Sequence, residues 1–259
     1  MTPAAGAALL PVRRTPVSCT IIAMNERDRI GRAIASVHGL VDEVLVVDSG
    51  STDGTQEFAT SLGARVIVHR FEGFGPQKRF AEDQAAHDWI LNLDADEWLS
   101  EKLREELHVL LSCERPLASS YKMRVTIVYP QRETPFPFAD FRRCLRLYDK
   151  RVTRFAESLV HDTVPDMPDT MMLKGRVYHK SLRSLSHLVR KQLDYFALQK
   201  REKRRSRAVL IGRSFVEFPL QFLKLYFLRR HCFGGLYGFW IAITGAFMRW
   251  LRLLILAGY

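Results

Sequence analysis

The fold is decided by residues 17–55, "VSCTIIAMNERDRIGRAIASVHGLVDEVLVVDSGSTDGT". The first part of the stretch, "VSCTIIAM", is apolar and rich in β-formers, which predicts a buried strand. The next part has apolar residues at helical spacing, namely Ile30, Ala33, Ile34 and Val37. Glu43–Val47 predicts a second buried strand, which ends in a turn of Ser, Gly and Asp. The stretch therefore predicts a strand–helix–strand unit, from which parallel sheets are built.

The same alternation continues downstream. Residues 55–64 predict a helix closed by Gly63, because glycine readily adopts the left-handed conformation at a helix C-terminus. Residues 65–71 predict a third strand, a further helix starts at Pro76, and residues 88–96 predict a fourth strand. Apolar strands alternating with helices predict an α/β fold, whose mostly parallel sheet is covered by helices on each side. Ligands of such sheets bind at the carboxyl ends of the strands.

The second half of the chain has a different pattern. Residues 107–130 predict a helix and then an outer strand. Residues 141–164 predict antiparallel strands with a turn at Asp149-Lys150. Beyond His179 the chain becomes helical and strongly basic. Three regions are predicted, namely a disordered leader over 1–16, an α/β domain over 17–180, and a helical, basic C-terminal region over 181–259.

Charge and cysteine content narrow the function classes. Lys and Arg number 39 against 28 Asp and Glu, a formal net charge of +11. This excess favours an anionic partner, which is a nucleic acid, a phosphorylated substrate or an acidic membrane surface. The cysteines are widely scattered and form no CxxC pair, as expected of reduced thiols in a cytosolic protein. The N-terminal residues lack a basic stretch before their short apolar patch, so a secretory signal is not expected.

Asp48 ends the second predicted strand, just before the small residues of "SGSTDGT". An aspartate at this place is a good acceptor for a nucleobase N–H or a ribose hydroxyl, and small residues let a ligand approach the backbone closely. The alternative is that Asp48 and Ser51 cap the helix that follows. The pattern leaves both interpretations open, whereas Asp53 is expected to be a turn or cap residue.

Residues 90–99, "ILNLDADEWL", place three acids directly after an apolar run. Side chains alternate along a strand, so Asp94 and Asp96 share one side of the chain. Mg²⁺ and Mn²⁺ prefer oxygen ligands, and one or two carboxylates together with substrate phosphates hold such an ion. The pair therefore predicts a site for a divalent cation and a diphosphate, with Glu97 pointing away. The alternative is a surface loop in which Asp96 caps a helix beginning near Ser100.

Four short segments of the sequence, taken in their order and spacing, resemble the motifs of the family 2 glycosyltransferases. They are Asn25-Glu26 after the first strand, Asp48 in "VVDSGSTDGT", the Gly75-x-x-Lys78 segment, and "LNLDADEWL". The resemblance covers roughly residues 17 to 165 and implies the GT-A fold, a Rossmann-like fold that binds nucleotide sugars. By this resemblance Ala23, Asn25 and Glu26 line the nucleotide pocket, and Asp48 holds the base. Lys78 lies near the phosphates, and Asp94 and Asp96 form the metal–diphosphate motif.

Within that family the chain most resembles small bacterial lipopolysaccharide core glycosyltransferases. The segments that carry this closer resemblance are "AESLVHDTV" at 156–164, "VYHKSLRSLSHLVRKQLDYFA" at 177–197, and the apolar C-terminal tail. One departure affects the predicted chemistry. Relatives more often have His-Glu at the position where this chain has His161-Asp162.

The resemblance also implies the reaction. In such enzymes an acceptor hydroxyl attacks C1 of the sugar while UDP leaves, which inverts the anomeric centre, and a carboxylate acts as general base. Asp162 is the first candidate for the base and Glu157 the second, although Asp162 is also explained as a loop residue paired with an Arg. His161 is expected to ligate the metal, contact phosphate or orient the base, and a purely structural role is equally open.

The C-terminal tail is apolar with basic flanks. Residues 231–248 carry no Asp, Glu, Lys or Arg, while Arg229-Arg230 precede them and Arg249 follows. This length is marginal for crossing a bilayer, which needs about 20 apolar residues, and basic residues on both flanks argue against crossing. The tail therefore predicts an amphipathic hairpin on an anionic membrane surface. The alternative is a buried helix pair that completes the core.

Together these features predict a metal-dependent inverting hexosyltransferase that uses a UDP-sugar and either Mg²⁺ or Mn²⁺. Its predicted acceptor is the lipopolysaccharide inner core, at the cytoplasmic face of the inner membrane, and glucose is one candidate for the hexose. An alternative acceptor is a polyprenyl-phosphate-linked glycan or a protein. A basic nucleic-acid-binding protein ranks last, because residues 200–207 form no recognised binding motif, so no nucleic-acid partner is expected.

Overall fold

The computed structural model describes residues 14–114, 116–156, 163–186, 188–190, 193 and 207–258. The strands are β1 Val17–Ala23, β2 Glu43–Asp48, β3 Arg65–Val68, β4 Trp89–Asp94, β5 Glu97–Leu99, β6 Ser120–Ile127, β7 Phe141–Asp149 and β8 Met171–His179. The helices include α1 Ile30–Val37, α2 Thr55–Ser61, α3 Phe74–Gln84, α4 Glu101–Leu111, α5 Arg207–Leu223 and α6 Gly235–Ala257. A π-helical turn, Lys224–Leu228, and a 3₁₀ turn, His231–Gly234, join the last two helices.

The strands form one mixed sheet in the order β3-β2-β1-β4-β7-β6-β8-β5. The pairs β2–β3, β1–β2 and β1–β4 are parallel, and β7 runs antiparallel to β4. The register sets Ala23 beside Asp48 and Ile22 beside Asp94. The carboxyl ends of β1, β2 and β4 therefore finish at one level, and the loops that follow them meet along one edge of the sheet.

The helices of the first half match the sequence pattern closely. All four apolar positions predicted for α1 are buried, and they are Ile30, Ala33, Ile34 and Val37. Gly63 follows α2 with a φ of +85°, the left-handed conformation predicted for it. Helix α3 begins at Phe74, two residues before the predicted start at Pro76. Proline is tolerated in a first helical turn, because its missing N–H would have no partner within the helix there.

Strand β6 was predicted to be an outer strand, and this prediction is wrong. It lies inside the sheet, between β7 and β8. Residues on both of its faces are buried, including Tyr121, Met123 and Val125 on one face and Ser120 and Thr126 on the other. A strand with two covered faces belongs in the interior of a sheet.

The second strand predicted after the turn at Asp149-Lys150 is absent from the described residues 150–156 and 163–164. The turn itself is present, because Asp149 O accepts hydrogen bonds from the N–H groups of Val152 and Thr153 at 3.0 and 3.1 Å. Further along, side chains of α3 bind the backbone of Phe155. One backbone hydrogen bond joins the two described parts of this segment, from Ala156 N to Thr163 O at 3.2 Å.

The chain divides into two compact units. The first holds the residues up to Val125 together with Arg143–Val177, and the second holds Thr126–Arg142 and the residues from Tyr178 onward. In the second unit the described core is built around Tyr129, which packs with Phe136, Ala139 and Ile241. The Tyr129 hydroxyl lies 2.6 Å from Nδ1 of His231. Residues of the 126–142 segment therefore anchor the turn between α5 and α6 and the first part of α6.

We expect buried His231 to make the stability of the second unit depend on pH. Burial lowers the pKa of His231 below its ordinary value of 6.5, against the opposing effect of the Asp140 carboxylate. Because the pKa is lower in the folded state, the unfolded chain binds the proton more readily. The contribution of such a group to stability is therefore complete above its ordinary pKa and is lost as the pH falls through its folded-state pKa. We expect the thermal midpoint of unfolding, measured by circular dichroism, to decrease when the pH is lowered from 7.5 to 5.5.

Two histidine variants separate this effect from general acid sensitivity. His231→Gln should weaken the dependence of the midpoint on pH over this window, because glutamine does not titrate. His38→Gln, at an exposed histidine of the first unit, should retain the dependence of the unmodified protein. Equal pH dependence in both variants would contradict the role of His231.

Candidate active site

The loops after β1 and β2 are tied to each other. Asn25 has a φ of 56°, in the left-handed region where Asn is enriched, and it turns the chain toward the second loop. Four hydrogen bonds make the ties, from Asn25 N to Ser51 Oγ at 2.8 Å, Thr52 N to Asn25 Oδ1 at 2.9 Å, Glu26 N to Thr55 Oγ1 at 2.9 Å, and Ser49 N to Ala23 O at 2.9 Å. The predicted nucleotide-pocket residues Ala23, Asn25 and Glu26 thus form one structural unit with the loop after Asp48.

Asp48 is fully buried and organises its own loop. Its carboxylate accepts four hydrogen bonds, from Gly50 N at 2.9 Å, Ser51 N at 2.7 Å, Ser51 Oγ at 2.5 Å and Gln56 Nε2 at 2.7 Å. Asp48 does not cap α2, whose N-cap position is Gly54. Asp53 is a turn residue as predicted, since its Oδ1 accepts the N–H of Thr55 at 3.0 Å. Contact between Asp48 and a base stays a prediction.

Asp94, the last residue of β4, lies between two cations. Its Oδ1 is 2.8 Å from Nζ of Lys78 and its Oδ2 is 3.3 Å from Nη2 of Arg146. The Lys78 side chain is almost fully buried, whereas that of Asp94 is partly exposed. The Lys78 ammonium also lies 5.1 Å from the centre of the Phe155 ring. Lys78, which the resemblance places near phosphates, therefore sits directly against the acidic motif.

Asp96 is paired with Arg29, a residue of the loop before α1. Arg29 Nη1 lies 3.3 Å from Asp96 Oδ2. The same guanidinium donates to both carboxylate oxygens of Glu26, at 2.5 and 2.6 Å. Such a two-pronged arginine–carboxylate pair has a fixed geometry. Arg29 thus joins the predicted nucleotide loop to the predicted metal motif.

Glu97 was expected to point away from the other two acids, and this expectation is wrong. The side chain is buried, its Oε1 is 2.6 Å from Arg146 Nη2, and its Oε2 accepts the backbone N–H of Asp94 at 3.1 Å. Arg146 Nη1 also donates to Asn92 Oδ1 at 2.9 Å. A buried carboxylate needs both a cation and hydrogen bonds, and Arg146 with the Asp94 N–H provides them.

The alternative interpretation of Asp96 as a helix cap is also wrong. Ser100 is the N-cap of α4, and its side chain accepts the N–H of Leu103 at 3.3 Å. Strand β5 separates Asp96 from that helix. The carboxylate of Asp96 is therefore not used to cap α4.

Helix α3 also anchors the segment that leads toward the predicted base. Glu82 is fully buried and accepts hydrogen bonds from Tyr148 Oη at 2.7 Å, Arg154 Nε at 2.8 Å and Phe155 N at 3.1 Å. Burial, and next the charge of Glu82, raise the pKa of Tyr148 well above its ordinary value, so its hydroxyl stays protonated and donates. The base candidates Glu157 and Asp162, and the metal candidate His161, lie outside the described residues and stay predictions.

The donor set at this edge suits a divalent cation that is shared with a substrate. The described residues contain no group of three His, Cys, Asp or Glu side chains that could hold a metal ion. Asp94 and Asp96 supply two carboxylates, and Mg²⁺ typically takes one or two carboxylates and fills its other positions with waters and substrate phosphates. These two residues therefore fit the predicted ion as a partial ligand set that a diphosphate would complete.

Two residues of the site were missed in the sequence pattern, and each carried a detectable signal. Arg29 stands three residues after Glu26, a spacing at which side chains meet on a helical turn. Arg146 stands between Leu145 and Leu147 in an otherwise apolar strand end. A charged residue at a buried strand position must pair with an opposite charge.

Comparison with known proteins gives one consistent result. The family model described as glycosyl transferase family 2 matches residues 18–114. An uncharacterized glycosyltransferase of Rickettsia typhi is 38% identical over 253 residues, which cover 92% of this chain and 85% of that protein. The lipopolysaccharide core biosynthesis glycosyltransferase LpsC of Rhizobium meliloti is 30% identical over 243 residues, which cover 91% and 89% of the two chains.

One solved structure is also similar in sequence over less than half of the chain. It is glucosyl-3-phosphoglycerate synthase from Mycobacterium tuberculosis, crystallised with Mn²⁺, UDP and glucosyl-3-phosphoglycerate. It is 29% identical with a TM-score of 0.32, and the match covers 46% of this chain and 45% of that one. The full-length relatives match both the α/β domain and the C-terminal region. The resemblance seen in the sequence is thereby confirmed, and this chain belongs to glycosyltransferase family 2, with the GT-A fold and relatives among the lipopolysaccharide core enzymes.

Proposed function

We propose that this glycosyltransferase moves a hexose, with glucose as first candidate, from a UDP-sugar to the inner core of lipopolysaccharide. The observation that carries the proposal is the arrangement of Asp94 and Asp96 at one sheet edge, in contact with Lys78 and Arg29. Carboxylates and cations side by side suit a diphosphate that arrives with a divalent cation. The similarity to LpsC along most of the chain supports the choice of acceptor.

The proposed reaction is a single displacement. A bond forms between the acceptor oxygen and C1 of the sugar, while the bond from C1 to the diphosphate oxygen breaks and its electron pair leaves with UDP. Asp94 and Asp96 would hold an Mg²⁺ or Mn²⁺ ion, which would supply positive charge to the diphosphate. Lys78 and Arg29 add positive charge at the same edge. Asp162, or otherwise Glu157, takes the proton of the acceptor hydroxyl as general base.

The proposed location is the cytoplasmic face of the bacterial inner membrane. An acceptor that is itself a lipid-linked glycan lies at a membrane surface, and the net charge of +11 favours an anionic surface. A polyprenyl-phosphate-linked glycan or a protein remains an alternative acceptor, and the experiment below includes it.

A donor and acceptor screen tests the proposal. The purified protein is incubated with UDP-glucose, UDP-galactose or UDP-N-acetylglucosamine, and with Mg²⁺, Mn²⁺ or EDTA. The acceptor in separate reactions is core lipopolysaccharide from a strain that lacks this protein, a polyprenyl-phosphate-linked glycan, or protein from the same strain. We expect UDP release in the presence of metal, and mass spectrometry should show the addition of one hexose to the acceptor. EDTA should abolish both.

Each outcome bears on a different part of the proposal. No UDP release with any donor would contradict the enzymatic assignment as a UDP-sugar transferase. Transfer only to a polyprenyl-phosphate-linked glycan or to a protein would contradict the acceptor. Full activity in EDTA would contradict the proposed dependence on a divalent cation.

A further inference from the structure

Helix α5 and the π-helical turn after it have an outward face that is apolar. Their inward positions are buried, among them Leu210, Ser214 and Glu217. Their exposed positions include Phe215, Val216, Leu220, Leu223, Phe227 and Leu228. Phe215 is 79% exposed and Leu228 is 74% exposed. A surface helix of a water-soluble protein normally has its polar residues on this side.

Helix α6 repeats the same arrangement. Its buried positions include Ile241, Ala242, Ala246, Met248 and Leu253. Its exposed side carries Leu236, which is 74% exposed, together with Trp240 and Phe247. Leu236, Trp240 and Phe247 are separated by four and seven residues, so they lie along one stripe of the helix. Both helices thus expose large apolar side chains in addition to the apolar side chains that they bury.

The inward faces are already satisfied within the hairpin. The beginning of α5 packs on the end of α6 through Leu210, Leu253 and Ala257. Between the two helices Glu217 accepts hydrogen bonds from Arg213 at 2.7 Å and from Arg249 at 3.0 Å. These contacts hold the two helices antiparallel. The exposed apolar side chains therefore serve another surface, since an apolar patch of this extent marks an interaction site.

The charges of the hairpin select the kind of surface. Glu217 is the one acidic residue between 207 and 258, and two arginines neutralise it. Lys224, Arg229 and Arg230 are exposed where the two helices join. Exposed cations beside exposed aromatic and aliphatic groups match an anionic lipid surface, where the cations meet headgroups and the apolar groups enter the acyl boundary. A second copy of the same hairpin would bring like charges together.

The hairpin is suited to lie in the membrane interface. Among the described residues one helical stretch, His231–Ala257, is long and apolar enough to cross a bilayer by length and composition. Crossing would place Arg249 and Arg252 within the hydrocarbon, together with the Arg213–Glu217 pair of α5. It would also carry the cations at the tip to the far side, against the preference of basic residues for the cytoplasmic face.

We propose that the outward apolar face of the α5–α6 hairpin docks in the plane of an anionic bilayer. This proposal rests on the proposed function only in the choice of membrane, the cytoplasmic face of the inner membrane. It does not depend on the sugar, the acceptor or the metal.

Vesicle flotation with the full-length protein tests the proposal. The protein should float with vesicles of phosphatidylglycerol and phosphatidylethanolamine, and much less with vesicles of phosphatidylcholine alone. A triple variant, Phe215→Ser, Leu228→Ser and Leu236→Ser, should bind the anionic vesicles roughly tenfold more weakly or worse, because three exposed apolar side chains are removed. These side chains are mostly exposed, so the fold should persist, which circular dichroism checks.

A matched control uses exposed apolar residues of the first unit. Val109 is 70% exposed and Leu117 is 89% exposed. The double variant Val109→Ser and Leu117→Ser should bind vesicles as the unmodified protein does. Equal binding by the triple and double variants would overturn the proposal, and so would a lack of flotation by the unmodified protein. If the unmodified protein is a dimer that does not float and the triple variant is a monomer, the face would be assigned to self-association.

Two further readouts separate the remaining outcomes. Alkaline carbonate should release the protein from the vesicles, and resistance to carbonate would contradict the in-plane position. UDP release in solution should persist in the triple variant, since it alters none of the residues assigned to donor binding. Failure of the donor screen would leave vesicle binding measurable, so the two proposals fail separately.

Discussion

Replacing Asp96 with Asn is expected to lower turnover by about 100-fold or more, the scale on which charge-stabilising groups act in active sites. Asparagine keeps the size of the side chain and removes its charge. In the proposed mechanism Asp96 would hold the cation, which would supply positive charge to the leaving diphosphate. Turnover is measured as metal-dependent UDP release at saturating donor.

The control for this variant lies on the same strand segment. Asp88 immediately precedes β4, at the end opposite to Asp96, and pairs with Arg151 at 3.2 Å. Asp88→Asn should retain turnover close to that of the unmodified protein. Both variants should keep similar thermal midpoints. If Asp96→Asn released UDP as fast as Asp88→Asn, the metal assignment of Asp96 would be wrong.

The second large effect is expected from Arg146→Met. Methionine is similar in length but cannot pair with Glu97, which is almost fully buried, or with Asp94. Removing one partner of a buried ion pair costs about 3–5 kcal/mol of folding free energy, because the remaining charge is left without compensation. Urea unfolding should show this loss as a lower midpoint with an unchanged slope.

Two further variants sharpen this prediction. Arg143→Met, at an exposed position of the same strand, should change the free energy of unfolding by less than about 0.5 kcal/mol. The double variant Arg146→Met with Glu97→Gln should recover part of the lost stability, because it removes the unpaired buried charge. Turnover should be below that of the unmodified protein in both Arg146→Met and the double variant, since Asp94 has lost one of its two cations in each. Similar stability of Arg146→Met and Arg143→Met would contradict the role of Arg146.

Local pattern was enough to predict the strands and helices that build the parallel half of the sheet. The buried spacing of α1, the left-handed Gly63 and the acids at the end of β4 all follow from short-range rules. Parallel strands with a common edge then brought Asn25, Asp48 and Asp94 together. Their collection at one edge was predictable because topology dictates it.

Features that depend on distant pairing were not predictable in the same way. The interior position of β6 depends on which strands flank it, and the order of apolar and polar residues within β6 does not identify those neighbours. The charged partner of Glu97 comes from β7, about fifty residues along the chain, so the local pattern could mark Arg146 as a charge in need of a partner but could not identify Glu97 as that partner. The segment after Asp149 has strand-forming residues, but α3 binds its backbone through Arg79 and Glu82.

The ties between the loops after β1 and β2 have a thermodynamic consequence. Asn25, Ser51, Thr52 and Thr55 hold these loops together through hydrogen bonds within the protein. A ligand that binds against them meets a surface that is already ordered, so little conformational entropy is lost on association. The conformational entropy of the loops is then lost when the chain folds and not when the ligand binds. The affinity for a ligand at this edge therefore reflects its direct contacts with the protein.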